Sequence, residues 1–545
     1  MGSINEIRPV KQSIENRIES PDSMRNGWFC LWSERLLLWG MLVVWSVWRI
    51  PIPAVNEPHY WGKAKFWWDP SWCAGDFFLS SSNPHQAFYA TFGSLTQWFN
   101  LHDAAFAGRI IGLLIVAIGW QSLCQSLIRT RWSALLSMGL FLALQSIGNF
   151  SGEWLVGGME SKVPSYGFLF WSLGELLRGR WIRSGSFAGL AICFHPLVGL
   201  WGVIGMALAS LVLLSEQYWK SRHVTEDKGV DTPIVLPDVK TILLALACGA
   251  VFAAPGLIAA ITTISGATPD QDRIATFLQV ADRLAHHLDP MAFPKSAYWY
   301  GGSLLIIWWF LLRDIRATSP QRWWRYFVIA SVVIALVGVA IGFGPRPLHQ
   351  SPQGDWRLSL LKFYPFRLGD LMVPVAVSLA GVQAMGVWFR CGSRRTPGLI
   401  LLGWGLIFLG AFTIPFPDQN PSRLSLKQRQ HWQMACDWLR NETPKDSLVY
   451  ATDSSWGLRW GTHRPEFVNY KDMPQDAASI VEWNNRLWVI SRWRKAAFED
   501  GQVSADELAD LRKQTGIRYL LAGRFGPVNF EPVYENEAFR VFELP

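Results

Sequence analysis

Long apolar stretches separated by short polar breaks dominate the first three quarters of the chain. A bilayer core of ~30 Å requires about 20 apolar residues per helix. Runs that meet or approach this length lie at 35–52, 104–127, 133–150, 163–177, 240–263, 298–312, 326–343, 368–388 and 397–415. A further run, 184–214, would measure about 46 Å as one helix, too long for an untilted span. His195-Pro196 stands near its middle, where a proline breaks helical hydrogen bonding. The pattern therefore predicts a tight hairpin of two short helices there, and about 11 spans over 35–415.

The first 34 residues are polar and mixed in charge, and Leu36 to Ile52 is longer than the apolar part of a signal peptide. Residues 1–34 thus read as a cytoplasmic segment followed by an uncleaved first span. Arginines gather between later runs: Arg129 and Arg131; Arg178, Arg180 and Arg183; Arg313, Arg316, Arg322 and Arg325; and Arg390, Arg394 and Arg395. Positively charged short loops stay in the cytoplasm. That rule places the amino terminus inside and the loops 53–103, 151–162, 264–297 and 344–367 outside, with the carboxyl terminus.

From about Pro417 the pattern becomes that of a soluble domain, 416–545. Trp432, Ala435, Cys436 and Leu439 follow helical spacing, and Ser447 to Thr452 reads as a strand. Ser504 and Glu507 form a capping box ahead of a helix that Gly516 can close. Tyr519 to Ala522 reads as a strand, and 532–535 with 538–543 as a hairpin. The fold class expected is an α-helical polytopic membrane protein with a small C-terminal α/β domain.

Composition sharpens this picture. Of 545 residues half are hydrophobic, 17% are charged and 32 are Trp, a ring that settles where a bilayer meets water. The net charge of +8 is scattered through short loops, which argues against nucleic acid as a partner. The seven cysteines show no metal-binding spacing, and a Cys73–Cys436 disulfide stays open. No P-loop, GxGxxG, HExxH or GxSxG motif stands in a suitable context.

Chemistry-bearing residues collect in the expected outer loops. Val55 to Phe92 carries Glu57, Asp69 and Asp76 with Lys63 and Lys65. Glu57, five residues beyond Ile52, could take a proton from a hydroxyl or bind a divalent cation. Glu153, Glu160 and Lys162 flank a Gly-Gly pair, and His195 marks the hairpin tip. His286 and His287 join Arg367 and Asp370 as a further patch; a planar guanidinium suits a phosphate. The blander alternatives are solvated loop acids, snorkelling helix ends, an interfacial histidine and an Arg367–Asp370 pair. Together the patches fit an anionic lipid head group held beside a base.

The stretches NEPHYWGKAKFWWDP and GGMESK, with the domain from Pro417, resemble the glycosyltransferase C superfamily of integral membrane transferases. That resemblance implies transfer of a sugar from a polyprenyl-phosphate carrier to an acceptor outside the cytoplasm. Membrane lipid and a polyprenyl-phosphate-linked sugar would be the partners. Glu57 would be the base or metal-side carboxylate, with Asp69 or Asp76 as substitutes. The family's paired first-loop acids are absent, since Pro58 and His59 follow Glu57, so a divalent cation is left open. Two other readings stand: a multi-pass transporter, and a non-catalytic membrane module whose outer domain binds a partner through aromatic patches at 456–460 and 483–493.

Overall fold

The computed structural model describes residues 21–545 except 129, 224–236, 314, 316, 392–395, 416, 453–455 and 524. Most of the 1–34 segment, and Arg129, Arg316, Arg394 and Arg395, lie outside the described residues. Every apolar run is helical: Pro21–Arg49, Leu101–Leu127, Ser133–Ile147, Lys162–Leu177, Trp181–Phe194, Pro196–His223, Val239–Ile264, Lys295–Leu312, Ser319–Gly342, Arg367–Cys391 and Thr396–Thr413. Among the described residues five of these are long and apolar enough to cross a membrane, which makes the chain an integral membrane protein. The others are shorter or less apolar and pack around them.

The 184–214 run does break in two. His195 is extended (φ −146°, ψ 96°) and ends the first arm. Pro196 opens the second, where its missing N–H leaves no helical bond unmade. Helix packing relies on small residues: a Cβ on Gly119 would lie 2.0 Å from the Gly167 carbonyl oxygen, so only glycine lets these two helices touch. Val239, Leu243, Leu246, Val251, Ile258 and Ile261 are exposed along one helix, the face a lipid would cover. Inward, Trp45, Trp61, Trp120, Phe141, Phe170 and Phe327 are buried in one continuous apolar core.

The C-terminal domain is a four-stranded sheet between helices. Its strands are β1 (Val449–Ala451), β2 (Tyr519–Ala522), β3 (Tyr534–Glu535) and β4 (Arg540–Glu543), ordered β1-β2-β4-β3. β1 runs parallel to β2, and β4 antiparallel to β2 and β3. Alternation along β2 feeds both faces. Tyr519 and Leu521 pack with Trp432, Ala435, Cys436 and Leu439 of the helix Leu426–Glu442. Leu520 and Ala522 pack with Trp483, Ile490, Leu508 and Leu511 on the other side. The Ser504–Glu507 capping box and the Gly516 closure (φ 74°) both form. Cys73 and Cys436 are buried free thiols.

Candidate functional site

Two straps bring the site together, and both begin with acids of the first loop. The helix Glu57–Trp68 starts directly after the first apolar helix. Glu57 is fully buried and pairs with Arg109, the one arginine inside the run 104–127. Its two oxygens accept from Arg109 Nε and Nη2 (both 2.8 Å), Ala54 N–H (2.6 Å) and Met159 N–H (2.8 Å). Arg109 also donates to the Ile50 and Pro51 carbonyls. With four hydrogen bonds to its carboxylate and no surface exposed, Glu57 holds backbone in place.

What Glu57 positions is the neighbouring group. Asn56 donates its amide to Glu160 Oε1 (2.8 Å). Lys162 Nζ lies 3.8 Å from Glu160 and 3.4 Å from Glu153, and stacks 3.9 Å above the Trp154 ring. Arg367 Nε is 2.8 Å from Glu153, while its Nη1 donates to His195 Nε2 (2.8 Å) and its guanidinium lies 4.3 Å over Tyr364. All of these acids and cations except Arg367 are nearly buried, and Glu153 Oε1 and the Tyr166 hydroxyl have no hydrogen-bond partner among the described residues. Burial raises the pKa of Glu160, only partly opposed by Lys162. The result is a compact polar chamber: Glu153, Glu160, Lys162, His195 and Arg367.

Asp370 does not pair with Arg367. Its carboxylate accepts from the backbone N–H groups of Phe150 (2.5 Å), Ser151 (2.8 Å) and Glu153 (2.9 Å), so it shapes the turn that presents Glu153. His287 completes that turn through Nδ1, 2.5 Å from the Ser151 carbonyl. Burial holds this imidazole near a pKa of about 3, which fixes it as a neutral donor. Gly152 has φ +84°, and a Cβ there would fall 2.2 Å from His287 Cε1. A third wall comes from the first loop: His85 Nδ1 is 3.1 Å from Ser161 Oγ, and its ring is 4.9 Å from that of His195.

An apolar groove of about 250 Å³ opens between the helices Lys295–Leu312, Ser319–Gly342 and Arg367–Cys391. Tyr298, Leu304, Leu336, Val339 and Val373 line it, and Asp370, one helical turn from Arg367, is the charged residue in its wall.

The second strap ties the first loop to the C-terminal domain. Asp76 is fully buried, caps Leu79 N–H (2.9 Å), and pairs with Arg459 Nε (2.5 Å). Arg459 Nη1 also reaches Glu466 (3.0 Å) and Asp472 (2.7 Å), and Asp472 lies 3.6 Å from His59. Crowding of acids in a dry site pushes Glu466 up to about 8, burial being the larger cause. Asp69, by contrast, sits in an exposed turn, held by Ser71 Oγ (2.5 Å). The His286 ring lies 4.1 Å from that of His287 and tilted to it, outside the chamber.

Thus Glu160, Lys162, His195 and Arg367 converge, Asp370 and His287 support them, and Glu57, Asp69, Asp76 and His286 stand apart. Arg109 and Arg459 escaped the sequence reading. Arg109 had a signal, a charge within an apolar run; Arg459 had none. Among the described residues no three His, Cys, Asp or Glu side chains gather as a metal site.

Residues 430–490, which include Arg459, Glu466 and Asp472, match a family model described as a domain of unknown function, DUF6798. No curated protein matches the chain. Three solved structures resemble it over most of its length. ArnT from Cupriavidus metallidurans, bound to undecaprenyl phosphate, is 12% identical with a TM-score of 0.48, covering 95% of this chain and 98% of its own. The arabinofuranosyltransferase AftD from Mycobacteria is 13% identical with a TM-score of 0.45, covering 95% of this chain and 40% of its own. The archaeal oligosaccharyltransferase AglB from Archaeoglobus fulgidus, in complex with an inhibitory peptide and a dolichol-phosphate, is 11% identical with a TM-score of 0.40. That match covers 92% of this chain and 70% of AglB.

Proposed function

We propose that this protein is a membrane glycosyltransferase that takes a sugar from a polyprenyl-phosphate donor and passes it to an acceptor on the extracytoplasmic face, the face carrying the C-terminal domain. The observation that supports this reading most directly is the junction at Asp370. An apolar groove between membrane helices meets, within one helical turn, a group of two cations and two carboxylates that is buried except for Arg367, which is partly exposed. A prenyl chain in the groove would bring its phosphate to Arg367 and Lys162.

In this reading Arg367 offers a planar fork and Lys162 a point charge to the phosphate oxygens. Glu160, whose buried carboxylate binds a proton more readily than an exposed one, removes the proton from the acceptor hydroxyl. That oxygen forms the new bond to the anomeric carbon from the face opposite the phosphate. The carbon–oxygen bond to phosphate breaks, and its electron pair stays on the phosphate between Arg367 and Lys162. Stabilising that leaving group is the larger effect. Glu57 serves by fixing the Met159 N–H, next to Glu160, while Asn56 holds the Glu160 carboxylate.

The test is binding of a polyprenyl phosphate to the purified protein in detergent. Saturable binding, weakened about ten- to a hundredfold by Arg367→Ala, is expected. Glu160→Gln should keep that binding and lose transfer once a donor sugar is found. Absence of binding at every chain length would remove the reading.

A further inference from the structure

Two lysines near the first loop, one buried and one half-buried, differ in how their N–H groups are used. Lys63 Nζ donates to the Phe78 carbonyl (2.6 Å), the Ser81 carbonyl (2.7 Å) and Ser81 Oγ (3.0 Å). Its three donors are met, as in a structural residue. Lys471, from the C-terminal domain, is half-buried and has one hydrogen-bond partner among the described residues, the Val55 carbonyl. It forms no ion pair there. Two of its N–H groups are thus uncommitted.

Its position is built with care. Arg283 donates to the carbonyls of Tyr470 and Lys471 (both 2.9 Å). Asp472, next in the chain, is fixed by Arg459 and by Asn469 Oδ1, which accepts its N–H (2.7 Å). Trp456 Nε1 donates to the same Val55 carbonyl that Lys471 contacts (3.2 Å). Val55 adjoins Asn56, whose amide holds Glu160. Held at the Val55 carbonyl, one residue before Asn56, the ammonium therefore stands at the edge of the chamber, and its electrostatics register Asp472 first, then Glu160, Arg283 and Asp418.

Charge decides what it does there. Arg367 and Lys162 are matched by Glu153 and Glu160 within 4 Å, so these four groups sum to zero. Asp418 makes no ion pair among the described residues, and burial raises its pKa. A sugar phosphodiester entering the chamber brings a negative charge that the four groups leave unbalanced, and a buried unbalanced charge is costly. We propose that Lys471 is the third cation of the lipid-phosphate site, so that the site is complete only when the C-terminal domain is docked on the first loop. This inference rests on the transferase reading above and adds a residue from a second domain to it.

Binding of polyprenyl phosphate and of the uncharged polyprenol to the full-length protein in detergent tests it, with wild type, Lys471→Gln, Lys471→Arg, Arg367→Ala and the surface control Lys495→Gln. Lys471→Gln should weaken polyprenyl phosphate binding about tenfold or more, Lys471→Arg should restore most of it, and polyprenol binding should not change. Hydrogen exchange of wild type needs no variant: polyprenyl phosphate, and not polyprenol, should protect 466–473. If Arg367→Ala weakens binding while Lys471→Gln matches wild type, or if 466–473 exchanges alike with both lipids, the inference falls and the transferase reading stands. If wild type binds no polyprenyl phosphate, both fall.

Discussion

Glu57 and Arg109 meet at 2.8 Å with side chains that are 0% and 1% exposed, and between them they join the first membrane helix, the first loop and the 158–160 turn. Removing one partner of such a pair leaves a charge buried and alone, at about 3–5 kcal/mol. Glu57→Gln and Arg109→Met should each lower the thermal midpoint in detergent sharply. The double variant should cost less than the sum of the two. If Glu57 instead acted as the base, Glu57→Gln would abolish transfer with little loss of stability.

Asp370→Asn should loosen the turn that carries Glu153. The carboxylate receives three backbone N–H groups, whereas an amide presents a single acceptor oxygen and adds N–H donors of its own. Faster hydrogen exchange at 150–153 and weaker polyprenyl phosphate binding are expected, with the global unfolding midpoint reduced by far less than in the Arg109 variant. Gly152→Ala should act on the same turn, through its clash with His287.

Arg459 should behave as the hinge pin of the C-terminal domain. Arg459→Met leaves Asp76, Glu466 and Asp472 without their shared cation, again about 3–5 kcal/mol. Limited proteolysis should then cut both 69–82 and 463–473, two segments far apart in sequence that Arg459 holds as one. Cutting at only one of them would show that the domain docks without it.

Glu466 makes the same interface sensitive to pH. Its pKa rises from an ordinary 4.5 to about 8 on folding, so between these values the folded chain holds a proton that the unfolded chain has released. Stability therefore falls as pH rises from about 4.5 to about 8. Thermal midpoints measured across that window should decline in wild type, and Glu466→Gln, which cannot ionise, should flatten the slope.

Lys471 predicts a separate pH effect, on binding. Burial lowers its pKa from 10.5 to about 8, and only the ammonium can neutralise a phosphate. Polyprenyl phosphate affinity should be level below pH 8 and fall above it, while Lys471→Arg, charged throughout, should carry its affinity to higher pH. Titrations at pH 7, 8 and 9 separate the two curves.

Much of the architecture was legible residue by residue. The helices at all the apolar runs, the break at His195-Pro196, the Ser504–Glu507 cap and strands β1 and β2 follow from periodicity, proline and capping chemistry, which act over a few residues. Individual site residues were legible in part: Glu160, Lys162, His195 and Arg367 stood out as polar groups at the ends of apolar runs. The contacts of the acids were not, because Glu57, Asp76 and Glu160 look alike in sequence and only their partners in the fold distinguish them.

The sequence by itself determined where the chain is apolar enough to form membrane helices, where it must break, and that a small α/β domain follows. Those features depend on neighbours within a turn or a strand. The tertiary structure alone decided which charges meet. Asp370 finds Ser151 across 219 residues and Asp76 finds Arg459 across 383. A buried ion pair takes its energy from burial and from a partner at about 3 Å, and neither is written in the spacing of residues that far apart.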